Sequence, residues 1–259
     1  MVMNNATFNR VEKKYILSQD QYDKIKLCFS TYMKKDTYTY KNKFYTISNI
    51  YYDTDDNMLI KKSVSKPKFK VKLRLRAYGE INENTLAFLE LKKKINGYVN
   101  KRRTKITVKD AIELVEKHKL PDFKDYHNFQ VIKEIVYFLG QYDLKPSVVI
   151  SYDREAYFCK ANNDLRITFD KNIQTRRFNI NLTDGVYGKQ LLENGYYVME
   201  IKTNQNMPLW LIEILNNYKI FPTSFSKYGT EFYNYLNELE RGNKECLNPY
   251  LKPLRLLSH

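Results

Sequence analysis

Cysteine, histidine, glycine and proline are all scarce here, with 3, 3, 8 and 7 copies in 259 residues. Cys28, Cys159 and Cys246 are odd in number and far apart, which excludes a disulfide framework and any metal-ligand spacing. Reduced thiols in a cytosolic setting are expected. His118, His127 and His259 show no ligand spacing either and read as surface residues. There is no Walker A loop, no Gly-x-Gly-x-x-Gly and no Ser-His-Asp order. Charges cut every apolar run short of membrane-spanning length. The opening Met-Val-Met-Asn-Asn-Ala-Thr lacks the apolar core of a signal peptide, so a cytoplasmic location is expected. Acids are short as well: 29 Asp and Glu stand against 44 Lys and Arg, a net charge of +15. That imbalance points to a polyanionic partner, whether nucleic acid, an acidic membrane surface or free phosphates. Charge alone does not choose among them.

What is present is a pattern. Lys68, Lys70, Lys72, Arg74 and Arg76 alternate strictly with Phe69, Val71, Leu73 and Leu75. A β-strand sends successive side chains to opposite faces, so this one has a cationic face and an apolar face. Alternate residues on a strand lie about 6.5 Å apart. At an effective dielectric of about 20, two such like charges repel by about 2.5 kcal/mol. Water screens that cost, and a closed cavity does not. One such strand alone reads as the solvated face of a sheet. The pattern recurs, however. Arg10, Glu12 and Lys14 flank Val11 and Lys13, and Glu90 and Lys92 alternate with Leu89 and Leu91. Arg166, Thr168 and Asp170 alternate with Leu165, Ile167 and Phe169, and Glu200 and Lys202 with Met199 and Ile201. If helices cover the apolar faces, the charged faces line a shared interior: an inside-out barrel.

The hydrophobic content of 43% supports a true core. The 23 tyrosines, with abundant Lys and Asn, reflect genome composition as much as function. Strands are expected at 8–17, 46–53, 69–78, 86–95, 98–106, 145–158, 164–169 and 196–203. The 86–95 and 98–106 strands form a hairpin across Asn96-Gly97. Ser18 and Gln21 form a capping box ahead of a helix to about Lys34. Asp55 or Asp56 caps a short helix through Met58 and Lys61. Further helices are expected from Thr107 to about Lys117, over 129–141, from Pro208 to about Tyr218, and from Ser224 or Ser226 through Leu239. The stretch around 183–188 reads as a loop, and about 242–259 as an irregular tail. Strands and helices mix without a βαβ rhythm, which favours an α+β fold with an antiparallel sheet, in one domain over 1–259.

Seven segments, in order, carry a resemblance. They are Arg10-Val-Glu-Lys-Lys-Tyr15, Lys72-Leu-Arg-Leu-Arg-Ala-Tyr-Gly79, Phe88-Leu-Glu-Leu-Lys92, Ser151-Tyr-Asp-Arg154, Leu165-Arg-Ile-Thr-Phe-Asp170, Val198-Met-Glu-Ile-Lys202 and Ser224-Phe-Ser-Lys227. From about Phe8 to Tyr233 the chain resembles the catalytic domain of vacuolar transporter chaperone (VTC) polyphosphate polymerases, within the triphosphate tunnel metalloenzyme superfamily. The resemblance implies an eight-stranded antiparallel β-barrel, surrounded by helices, whose charged tunnel binds triphosphate and a divalent metal. It implies transfer of the ATP γ-phosphoryl group onto a growing polyphosphate chain, with pyrophosphate or polyphosphate as acceptor.

By resemblance, Lys14, Arg74, Arg76, Lys92, Arg154, Arg166 and Lys227 contact phosphates as the catalytic set. Arg10, Lys72, Tyr152, Ser226 and Lys202 are further substrate-binding candidates. Arginine forks suit phosphate oxygens and lysines act as point charges. Ser226 and Lys227 fall at an expected helix N-terminus, a site favourable to anions. Glu200 is the metal carboxylate, for Mn²⁺ or Mg²⁺. Glu12 and Glu90 read either as ion-pair partners or as further metal ligands, with ion pairing favoured. Either Arg102 or Arg103 adds a cation. Hydrolytic members of the superfamily begin Glu-x-Glu-x-Lys, and Arg10 stands at the first Glu position here, which agrees with the polymerase branch. Within the 259 residues, neither the regulatory nor the membrane-spanning domains of eukaryotic members are expected. If product is exported, a separate membrane-protein partner is expected to carry it. Lys92-Lys93-Lys94 does not make a nucleic-acid patch, because Lys93 faces away from its neighbours on a strand, so no nucleic acid is expected. The alternatives are a triphosphatase and a non-catalytic polyphosphate-binding module.

Overall fold

The computed structural model describes residues 11–41, 43–65, 67–96, 98–121, 126–161, 164–204 and 206–244. The element order begins β1 (Val11–Ser18), α1 (Gln19–Tyr32), β2 (Met33–Lys35), α2 (Thr37–Lys41), β3 (Tyr45–Asp53) and α3 (Met58–Val64). It continues with β4 (Phe69–Tyr78), β5 (Leu86–Ile95), β6 (Tyr98–Thr107), α4 (Val108–Lys117) and α5 (Tyr126–Leu139). Then come β7 (Lys145–Cys159), β8 (Leu165–Arg176), a 3₁₀ turn (Leu182–Asp184), β9 (Lys189–Gln190), β10 (Tyr196–Thr203), α6 (Leu209–Asn217) and α7 (Lys227–Lys244).

Eight strands make one antiparallel path, β1-β10-β8-β7-β3-β4-β5-β6, with β2 beside β7 and β9 beside β8. The fold is α+β, as expected. The path curls into a tunnel. Lys14 on β1 lies within electrostatic reach of Lys72 on β4 and Lys92 on β5, near the far end of the path. Among the described residues, β6 does not pair with β1, so backbone pairing leaves a seam. The chain just before α7 lies along it: Thr223 bridges to Lys14, its N–H donating to the Lys14 carbonyl at 2.7 Å.

The apolar strand faces point outward, under helices. Val71, Leu73, Leu75 and Ala77 of β4 and Leu89 and Leu91 of β5 pack in one core with Ala111, Leu114 and Val115 of α4 and Val131, Ile132 and Ile135 of α5. Each large side chain buried this fully contributes about 1.5–3 kcal/mol. A second core packs Tyr15, Leu17, Ile167, Phe169, Met199 and Ile201 under α1 and α6. A third lies on the inner faces. There Ile47, Val148, Ile150, Ile173 and Val198 meet Phe225, and Tyr228 and Phe232 of α7, so α7 covers an apolar stretch of the barrel interior.

Local chemistry explains most boundaries. Ser18 Oγ accepts from the Gln21 N–H at 3.3 Å, and Gln21 Oε1 accepts from the Ser18 N–H at 3.1 Å, the expected capping box. Its helix stops at Tyr32, short of Lys34, because Met33–Lys35 leaves to pair with β7. The α3 cap differs from expectation: Asn57, rather than Asp55 or Asp56, holds the N-cap position, in the left-handed region and with no side-chain cap bond of its own. Buried Asp53 accepts from the Leu59 and Ile60 N–H groups at 2.8 and 2.9 Å, and Thr54 Oγ1 from Met58 at 2.9 Å. Gly188 has a φ of +145°, and a Cβ there would sit 2.5 Å from the Thr175 carbonyl oxygen, so only glycine lets β9 approach β8. Helix α7 outruns the expected end at Leu239 and reaches Lys244. Residues 245–259 of the expected tail lie outside the described residues.

Candidate functional site

The charged strand faces converge inside the tunnel. On β4, Lys72, Arg74 and Arg76 point inward, opposite the buried Leu73 and Leu75. Arg74 Nε donates to Glu90 Oε2 of β5 at 2.6 Å, and its Nη1 donates to the Tyr51 hydroxyl at 3.3 Å. Arg76 Nε donates to Asn49 Oδ1 at 2.9 Å, and its Nη2 to the Tyr152 hydroxyl at 3.4 Å. Register β5–β6 places Lys101 opposite Lys92 and Arg103 opposite Glu90. Lys101 Nζ lies 2.5 Å from Glu90 Oε1. Burial alone would raise the Glu90 pKa, but Arg74, Arg76 and Lys101 hold it down to about 2. Arg103 stacks over Phe88, with the guanidinium 4.8 Å from the ring centre. Arg102 turns outward to Glu134 of α5 at 3.1 Å.

On the opposite wall, Arg154 makes a two-pronged pair with Asp170, at 2.6 and 2.8 Å. Lys227, the first residue of α7, donates to the same carboxylate. Its ammonium sits 4.4 Å from the Tyr152 ring centre, and the Arg154 guanidinium 5.2 Å from the same centre. Asp170 is wholly buried, which would raise its pKa, yet Arg154 and Lys227 hold it below the usual carboxylate range. Ser226 is exposed and caps α7, its Oγ accepting from the Gly229 N–H at 3.2 Å.

Between these walls lie Glu12, Lys14, Glu200 and Lys202. Lys202 Nζ is 2.7 Å from Glu200 and 3.7 Å from Glu12. Lys14 Nζ donates to the Phe225 carbonyl at 3.1 Å and lies 3.6 Å from Glu12. Glu12 and Glu200 thus face the same Lys202 ammonium. Burial pushes the Glu200 pKa up, but Lys202, Arg154 and Lys14 hold it far below the usual range. Among the described residues no group of three or more His, Cys, Asp or Glu forms an all-protein metal cage. Two adjacent carboxylates of oxygen donors nonetheless suit Mg²⁺ or Mn²⁺, which take one or two carboxylates and complete their shell with phosphate oxygens and water.

The lumen carries far more positive than negative charge. Among the described residues, Glu12, Glu90, Asp170 and Glu200 are the acids on these faces, set against Lys14, Lys72, Arg74, Arg76, Lys92, Lys101, Arg154, Arg166, Lys202 and Lys227. The excess shows in the lysines. Burial first, then Lys70, Lys92 and Lys14, lowers the Lys72 pKa to about 8, against the pull of Tyr51. Lys101 is also lowered to about 8, by burial first and despite its Glu90 partner, although its side chain is 39% exposed. Burial lowers Lys92, Glu12 opposes this, and Arg74, Lys202 and Lys14 repel it further; its opening to solvent softens the effect. Tyr51, 8% exposed, goes the other way from burial: Arg74, Lys72 and Arg76 bring its phenol down to about 8.

Of the residues singled out in the sequence, Lys14, Lys72, Arg74, Arg76, Lys92, Tyr152, Arg154, Arg166, Glu200, Lys202 and Lys227 come together around this lumen. Ser226 stands at its edge as a helix cap. Arg10 lies outside the described residues. The sequence reading missed Asn49, Tyr51, Lys101 and the anchoring role of Asp170. The two-residue hairpin fixes Lys101 and Arg103 on the face of Glu90 and Lys92, so pairing arithmetic from that turn would have found both.

An antiparallel β-tunnel with a cation-lined lumen and a paired-carboxylate centre is the class of protein that these features define. The chain belongs to the VTC domain family, whose model matches residues 9–234. It is similar to vacuolar transporter chaperone complex subunit 4 of Schizosaccharomyces pombe, 23% identical over 231 residues that cover 73% of this chain and 32% of that protein. It is also similar to the subunit 4 of Trypanosoma brucei brucei, 22% identical over 218 residues covering 71% of this chain and 27% of that one. The chain thus spans about a third or less of the length of these relatives. Among solved structures, a candidate adenylate cyclase of Bacillus halodurans aligns with a TM-score of 0.49 and 15% identity, over 84% of this chain and 93% of that one. A candidate adenylyl cyclase of Hippeastrum, described as having a dominant triphosphatase activity, aligns with a TM-score of 0.49 and 17% identity, over 85% and 93%. No helix among the described residues is long and apolar enough to cross a membrane.

Proposed function

We propose that this chain is a metal-dependent polyphosphate polymerase, a single tunnel domain that transfers the ATP γ-phosphoryl group onto a growing polyphosphate chain. The observation that carries this reading is the lumen's excess of cations around the Glu12–Glu200 pair. A polyphosphate carries roughly one negative charge per phosphate, so it is the ligand chemistry that such a lumen fits. Family membership and the two subunit 4 relatives support the same reading.

Phosphoryl transfer asks for positioning and charge neutralisation more than for covalent help. Arg74 and Arg76 are held from behind by Glu90, Asn49, Tyr51 and Tyr152, which leaves their remaining N–H groups aimed at the lumen. Arg154 and Lys227 are fixed by Asp170 in the same way. Donors fixed in advance need no reorganisation when charge shifts between phosphates. Glu12 and Glu200 would hold the Mn²⁺ or Mg²⁺. When bound, the metal would neutralise phosphate charge and orient the transferring group. Lys14 and Lys202 flank these acids and would balance the rest of the triphosphate. Glu90, engaged by both Arg74 and Lys101, serves ion pairing. Arg10 would add a further cation.

The test is incubation with ATP, Mn²⁺ and a pyrophosphate primer, followed by gel separation of products by chain length. A ladder of polyphosphates growing with time is the expected result. Orthophosphate and ADP without a ladder would replace polymerase by triphosphatase. Binding without turnover would leave a polyphosphate-binding module. A membrane protein that carries the product onward is the expected partner, and the cytoplasmic side of a membrane the expected location.

A further inference from the structure

Buried polar groups in proteins are nearly always hydrogen-bonded, so each exception asks for a reason. Two exceptions sit together on the inner face of β8. Thr168 is 4% exposed, and among the described residues its hydroxyl has no partner. Two residues away on the same face, the Arg166 Nε–H is shut off from solvent and also lacks one. Buried hydroxyls on the outer side of β3 and β7 and on α2 do find partners. Ser151 and Ser48 bond to each other at 3.0 Å, and Thr39 accepts from the Ala156 N–H at 2.8 Å.

The surroundings do not explain Thr168 as scaffold. Its register neighbours are Ala156 on β7 and Glu200 on β10. Glu200 pairs with Lys202 at 2.7 Å and lies 4.0 Å from Arg154, and it does not accept from the Thr168 hydroxyl. Valine would fill the same volume beside Ala156 without burying a hydroxyl. The Arg166 Nε–H can only donate and the Thr168 hydroxyl can donate, so a single acceptor would satisfy both. In a lumen of this charge, that acceptor is an anionic oxygen.

We infer that Thr168 is a phosphate-binding residue, its hydroxyl donating to a non-bridging phosphoryl oxygen that also meets the Arg166 guanidinium. This rests on the phosphate-tunnel reading above and adds a subsite to it: the floor between Arg166 and Asp170, next to Glu200.

Calorimetric titration of tripolyphosphate into the protein in the presence of EDTA tests it, with wild type, T168V and T168S compared, and ligand-free melting temperatures recorded. T168V is expected to weaken binding by about tenfold to a hundredfold, the loss typical of a hydrogen bond to a charged group. T168S should keep most of the affinity. The ligand-free melting temperature of T168V should stay level or rise, because an unsatisfied buried hydroxyl is gone. Unchanged affinity in T168V overturns the inference, and so does a lowered ligand-free melting temperature, which would mark a structural hydroxyl. A loss seen only with metal present overturns the direct phosphate contact. If wild type itself fails to bind tripolyphosphate, the tunnel reading falls and this subsite with it.

Discussion

Arg154 and Glu155 are neighbours on β7 that point to opposite sides of the sheet, and the two sides treat charge differently. Outside, Glu155 is 1% exposed beneath α1. It accepts from Lys26 Nζ at 2.9 and 3.0 Å, from the Tyr157 hydroxyl at 2.8 Å and from the Tyr22 hydroxyl. One acid meets one base and two phenols, and the cluster is closed. Inside, Arg154 and Lys227 share Asp170, but the lumen beyond them holds more cations than its acids can balance. Both sets of charges are buried, so burial alone does not mark function. A balanced cluster is architecture. An unbalanced one, with donors left unpartnered, supports the proposed ligand of the opposite sign.

The comparison breaks most violently at the strand face itself. Leu73→Asp puts a carboxylate into the core beneath α4 and α5, and no cooperatively folded protein is expected by circular dichroism and thermal melting. Glu155→Ala strands Lys26 beside two phenols. Breaking a buried pair in this way costs about 3–5 kcal/mol. Urea denaturation should show that loss, while the surviving folded protein keeps its turnover. Arg74→Ala reverses the pattern. Loss of one preorganised donor to developing charge lowers turnover by about 10²–10³-fold. Glu90 retains Lys101, and less like-charge repulsion remains, so the melting temperature should move less than for Glu155→Ala.

Titration gives the smallest and sharpest test. Lys72 is held near 8 in the folded protein against an ordinary 10.5. Between those values the unfolded chain holds a proton that the ligand-free fold does not, so this residue makes stability rise with pH across the window. On the proposed function tripolyphosphate binds the charged form of this lysine, which predicts an affinity flat below about 8 and falling above it, by calorimetry at a series of pH values. Lys72→Met should flatten both trends relative to wild type. Equal slopes in the variant would show that Lys72 is not the lumen group that titrates.

Much of this was legible in the sequence because β4 is so regular. Its alternation gave the strand bounds of Phe69–Tyr78 and the inward set Lys72, Arg74 and Arg76. The hairpin and the Ser18 cap follow from local chemistry and stood where expected. Tyr51 and Asn49 were hidden because β3 is buried on both faces, so alternation carries no signal there. Met33–Lys35 and the run of β8 to Arg176 depend on pairing with β7, a long-range contact that a local pattern does not contain. Asp53 caps α3 from the end of the preceding strand, at a distance of six and seven residues, beyond the reach of a capping motif.

The most direct measurement is phosphorus NMR of wild type and Arg74→Ala side by side, each with ATP, Mn²⁺ and pyrophosphate. Wild type is expected to build an internal-phosphate resonance as ADP accumulates, and the folded variant to build almost none. The same polymer formed at the same rate by Arg74→Ala would contradict the assignment of the lumen's excess cations as the site.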